Sequence, residues 1–75
     1  MWTTIDNGKT IINLDNVAEI YRGYEPDTYL GETEVYLGIR FVGDEDYLDL
    51  KFKTKAELDQ EFDRLERLLL NERSY

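Results

Sequence analysis

Cysteine and histidine are both missing from this chain of 75 residues, and serine occurs once, as Ser74 in the terminal tail. Without them no disulfide framework, no Cys/His zinc site and no Ser–His–Asp or Cys–His nucleophilic pair can be built. Thr3 and Thr4 are not the amino-terminal residue, so a threonine–amine nucleophile would need processing to expose one. Proline occurs once, as Pro26, and no apolar run approaches the roughly 20 residues that span a bilayer. The opening Met1-Trp2-Thr3-Thr4-Ile5-Asp6-Asn7-Gly8 has neither the basic n-region nor the apolar h-region of a secretory signal, so a cytoplasmic protein is expected. Base is scarce as well. Nine Lys and Arg against 17 Asp and Glu leave a net charge of −8, which argues against direct, sequence-independent nucleic-acid binding because that mode needs a basic footprint.

What is present suits one small ordered domain, 1–75. Hydrophobic residues make up 41% of the chain and ten are aromatic, enough for a compact core that must hold without a disulfide or a metal. Residues 2–5 and 9–14 read as two short strands around Asp6-Asn7-Gly8, where Asn-Gly is a strong hairpin signal because both residues tolerate positive φ. Asp15-Asn16 then marks a corner, and a third strand is expected over 17–25. Pro26 to Gly31 reads as a loop. Val35, Leu37, Ile39 and Phe41 alternate with Tyr36, Gly38, Arg40 and Val42, the period of a half-buried fourth strand. Gly43-Asp44-Glu45-Asp46 turns the chain into a fifth strand, where Leu48, Leu50 and Phe52 alternate with Tyr47, Asp49, Lys51 and Lys53.

Thr54-Lys55-Ala56-Glu57 fits a helix capping box, and Leu58, Phe62, Leu65 and Leu69 follow as one apolar stripe over a helix of 54–71. The expected fold is therefore α+β: a bent antiparallel five-stranded sheet over 2–53, partly barrel-like, capped by one C-terminal helix. The outline has the layout of a pleckstrin-homology-like domain with five strands in place of the usual seven.

Few constellations carry chemistry. A paired-carboxylate site needs a cleft that desolvates one carboxyl, and a chain this short leaves little room for it, so no catalytic residue is assigned. Asp44-Glu45-Asp46 with Asp49 offers hard oxygens but lacks the EF-hand spacing and reads as a polar hairpin tip. No GxGxxG or Walker pattern surrounds Gly8 or Gly31. Neither a metal nor a cofactor is expected.

The charge distribution says more. Residues 15–34 hold six acids, Asp15, Glu19, Glu25, Asp27, Glu32 and Glu34, against Arg22 alone, and so carry five of the eight net negative charges. Tyr21, Tyr24, Tyr29 and Tyr36 fall in or beside the same stretch, and tyrosine combines apolar area with a hydroxyl and few rotors, which suits interfaces. Alternation puts Tyr21 on a face with Val17 and Glu19, and Tyr24 on the other with Ala18, Ile20 and Arg22. The candidate partner-binding residues are thus Tyr21, Tyr24, Glu25, Asp27, Tyr29, Glu32 and Glu34. Leu68-Leu69-Leu70 exceeds one stripe, so the helix end either packs internally or, with an unpaired sheet edge, supports a homodimer.

The start Met1-Trp2, the turn at Gly8 and the segment Ile12-Asn13-Leu14-Asp15-Asn16-Val17 resemble a group of small uncharacterised bacterial and phage proteins that share these features. The likeness covers roughly the first 20 residues, and the Thr54–Leu70 helix agrees with it in kind. It implies a small bacterial or mobile-element protein and carries over no catalytic or binding residue, the group having no assigned activity. Two functions are consistent with these readings. One is a non-catalytic module that binds a protein partner through the acidic, tyrosine-rich surface. The other is an acidic phage or mobile-element inhibitor that mimics nucleic acid and blocks a nucleic-acid-binding or defence protein.

Overall fold

A computed structural model describes residues 1–26 and 33–73. Five strands, one short 3₁₀ turn and one helix follow in order: β1 Trp2–Ile5, β2 Thr10–Asn13, the turn Leu14–Asn16, β3 Val17–Pro26, β4 Thr33–Phe41, β5 Tyr47–Phe52 and α1 Lys55–Arg73. The α+β class and the C-terminal helix agree with the sequence. The single five-stranded sheet does not. The strands form two antiparallel sheets, β1–β2 and β3–β4–β5, and neither closes into a barrel.

The break between the sheets lies at Leu14–Asn16. Asn13 accepts a hydrogen bond from the Asp15 N–H through its side chain, tightening the chain into the 3₁₀ turn. Leu14, 1% exposed, plunges into the core at that point, and its N–H donates to the Met1 carbonyl. Val42 N–H donates to Asn16 O at 2.7 Å, which ties the turn to the end of β4. Consecutive strands β2 and β3 therefore diverge instead of pairing.

The Ile5–Thr10 pair closes the first hairpin, so Asp6 to Lys9 form its loop. Asp6, Asn7 and Gly8 all have positive φ (54°, 55° and 82°); Gly8 N–H donates to Ile5 O and Lys9 N–H to Asp6 O, two overlapping turns of which the second is centred on Asn7-Gly8. Asp and Asn are the non-glycine residues that best tolerate that conformation.

One core serves both sheets. Ile5, Ile12, Leu14, Val17, Val35, Leu37, Ile39, Leu50, Leu58 and Leu65 form a single buried cluster, flanked by half-buried Ile20, Phe41, Phe52, Phe62, Leu68 and Leu69. The helix lies across the inner face of β3–β4–β5. Thr54 caps it, its hydroxyl accepting from the Glu57 N–H at 3.2 Å. Of the three terminal leucines, Leu68 and Leu69 pack on the core and Leu70 is exposed. No helix is long and apolar enough to cross a membrane among the described residues.

A β-bulge at the start of β3 decides which residues face the helix. Val17 pairs with Phe41 but Glu19 pairs with Arg40, so Ala18 is the extra residue. Val17 is buried beneath the sheet, whereas Glu19 and Tyr21 lie on the other side. The expected common face of Val17, Glu19 and Tyr21 is thereby corrected, because one inserted residue inverts the alternation.

Candidate functional site

The helix covers only one face of β3–β4–β5. The other face is set by register: Glu19, Tyr21 and Gly23 on β3 stand opposite Arg40, Gly38 and Tyr36 on β4, which in turn face Tyr47, Asp49 and Lys51 on β5. Tyrosine and glycine interlock here. A Cβ added to Gly38 would overlap the Tyr21 ring, and one added to Gly23 would overlap the Tyr36 ring. Each ring thus settles over a backbone position that has no side chain of its own. Tyr21 meets Tyr36 and Tyr47 edge-on, with centroids 5.9 and 4.9 Å away and interplanar angles of 90° and 88°.

Polar groups bracket this aromatic row. The Glu19 carboxylate accepts from Arg40 Nε at 2.8 Å and from the Tyr47 hydroxyl. Arg40 also donates to Asp44 O at 3.3 Å, fastening the β4–β5 turn. The Tyr47 hydroxyl, followed by the Arg40 guanidinium, holds Glu19 below the usual carboxylate range. Conversely, the hydrogen bond to Glu19, with burial acting in the same direction, pushes Tyr47 above an ordinary phenol, and Glu19 raises Arg40 further. Across the face, Tyr21 Oη donates to Asp49 at 3.4 Å and Lys51 Nζ lies 3.5 Å from Glu34.

Of the candidate residues named from sequence, Tyr21 and Glu34 belong to this open face. Tyr24 lies with Arg22 on the helix side, exposed, with the Lys55 ammonium 5.4 Å from its ring centroid. Arg22 reaches Asp59 at 3.4 Å and Asp63 at 3.2 Å, and its guanidinium carbon stands 4.0 Å from the Phe62 ring centroid. Tyr21 and Tyr24 therefore do not come together. Glu25 pairs in register with Glu34, and Asp27, Tyr29 and Glu32 lie outside the described residues.

Sequence reasoning passed over Tyr47, Arg40 and the role of Tyr36. A signal existed in the repeated Tyr-x-Gly of Tyr21-Arg22-Gly23 and Tyr36-Leu37-Gly38. When two antiparallel strands carry that triplet and pair in this register, each tyrosine faces the other strand's glycine.

An open groove of about 590 Å³ separates the β1–β2 turn from the end of β5 and the helix, lined by Asp6, Lys53, Gln60 and Arg64 among others. Arg64 is engaged there, donating to Thr3 Oγ1 at 3.0 Å and Thr4 O at 2.8 Å while also pairing with Glu61. Among the described residues no polar or charged side chain is buried and no three acids converge as metal ligands. The chain matches no family model, no curated protein and no solved structure.

Proposed function

We propose that this protein is a small, non-catalytic interaction module of the cytoplasm. It binds a protein partner through the open face of β3–β4–β5 and the adjoining acidic stretch with Glu25, Asp27, Tyr29 and Glu32. The single observation that carries the reading is the aromatic row itself. Tyr36 and Tyr47 each stand perpendicular to Tyr21 on the sheet face opposite the helix. Tyrosines held by neighbouring rings and by bare glycine backbone are already ordered, so a partner binding them loses little side-chain freedom. Glu19, Arg40, Asp49 and Lys51 supply a polar rim of both signs around that row.

Both signs also weigh against an electrostatic mimic of nucleic acid. Glu19 and Glu34 are paired with Arg40 and Lys51, which leaves Asp49, bonded to the Tyr21 hydroxyl, as the carboxylate of this face with no cation beside it among the described residues.

Affinity capture with the full chain tests the proposal. Tyr36→Ser and Tyr47→Ser are expected to lose a partner that wild type and an exposed helix variant, Glu66→Gln, retain. Circular dichroism establishes that each variant is folded. Equal recovery of the same partner by folded Tyr36→Ser and Tyr47→Ser would refute this surface.

A further inference from the structure

The chain has one tryptophan, and it is displayed. Trp2 is 67% exposed and Ile11 64% exposed, on the opposite side of the β1–β2 hairpin from buried Ile5 and Ile12. In the hairpin register Trp2 pairs with Asn13 and Thr4 with Ile11, so Trp2 and Ile11 are diagonal neighbours on one face. That face carries no charged side chain, and the Met1 ammonium next to Trp2 in the chain is paired with Asp15 at 3.5 Å. The only charged side chains of residues 1–14 are Asp6 and Lys9, both in the turn, while 16 of the 17 acids follow residue 14.

We propose that this hairpin face binds a second copy of the chain, giving a two-fold dimer in which Trp2 of each copy packs on Ile11 of the other. Three considerations select a copy as the occupant. Two molecules of charge −8 repel wherever their acids face each other, and this uncharged face lets them approach with none between. A two-fold contact needs a patch complementary to itself. An axis lying between the faces, perpendicular to the Trp2–Ile11 line, exchanges the two side chains and sets ring against branched chain twice. A basic partner, by contrast, would be drawn to the acid-rich remainder of the surface. Because a tryptophan buries only roughly 150–250 Å², two such pairs make a small interface, so the dimer is weak and reversible. It uses a surface other than the open face of β3–β4–β5, and it holds whether or not that face binds a partner.

Trp2 reports on its own contact. Sedimentation equilibrium from micromolar to millimolar protein, paired with tryptophan emission, is expected to show mass rising from 8.9 kDa toward twice that value. Emission should shift to the blue over the same concentration range. Added salt should strengthen the association by screening the acidic repulsion. Ile11→Lys is expected to abolish both changes. Thr4→Lys, also exposed on that face, gives a second variant should the first fail to fold. A constant monomer mass, or a dimer whose emission does not shift, overturns the proposal. So does a dimer that folded Ile11→Lys and Thr4→Lys both retain, or one that salt dissociates.

Discussion

The Tyr21 ring occupies the space that a side chain at Gly38 would need. The two are directly paired across β3 and β4, and two residues away Tyr36 stands in the same relation to Gly23. Substituting Gly38→Ala forces the ring aside, since the overlapping atoms belong to the aromatic ring and the methyl sits on the sheet backbone. A loss of about 1–3 kcal/mol is expected, the ordinary cost of overpacking. Removing the ring as well, in Gly38→Ala with Tyr21→Ala, should cost less than the two single losses added. Urea titration of the four proteins measures the coupling, and simple additivity would rule out the steric account.

Glu19 and Tyr47 share a hydrogen bond that moves both from their ordinary titration. Glu19 is lowered, so its contribution to stability is present above its unfolded value and is lost as pH falls through the lowered folded one. Tyr47 is raised, so its contribution is complete below the unfolded phenol value and is lost as pH rises through the raised one. In Glu19→Gln the Tyr47 phenolate should appear at lower pH than in wild type. Ultraviolet difference absorbance follows it, with Tyr47→Phe identifying the transition. No movement of that transition would show that Glu19 is not its cause.

Arg64 is the polar latch between the helix and the first hairpin, through Thr3 Oγ1 and Thr4 O. Arg64→Ala should leave β3–β4–β5 and its covering helix intact while the hairpin opens more often. Amide hydrogen exchange is expected to accelerate at Thr4, Ile5 and Ile12, with Leu37 and Ile39 nearly unchanged. Uniform acceleration everywhere would mean that the latch supports the whole fold.

Leu65, 1% exposed, lies in the buried cluster, whereas Leu70 is 62% exposed near the helix end. Leu65→Ala should destabilise by about 2–5 kcal/mol, a large share of the total for so small a domain. Leu70→Ala should change stability by less than about 0.5 kcal/mol. Thermal melts of both variants make the comparison, and a large loss at Leu70 would place it in a contact within the monomer.

Much of the local structure was legible from pattern alone. Alternation from Val35 to Phe41 and from Tyr47 to Phe52, and the Leu58, Phe62, Leu65 stripe behind Thr54, each depend on neighbours within a few residues. Such periods map directly onto a strand or helix face. The candidate site was less legible. Alternation inverted at the Ala18 bulge, so Val17 was assigned to the wrong side, and Tyr47 was separated from Glu19 by 28 positions of chain. Nothing local announces either fact.

Composition and pattern were sufficient by themselves for the exclusion of histidine and cysteine chemistry, the acidic surplus, and the class of fold. Each of these is a property of residues or of short windows. The division into two sheets, the Tyr–Gly interlock and the separation of Val17 from the face of Glu19 and Tyr21 were settled only in three dimensions. They follow from where Leu14 finds burial, from one inserted residue in β3, and from the register of β3 against β4. Register is a relation between distant segments, chosen by the packing of the whole core, and a one-residue change in it turns every side chain to the other face.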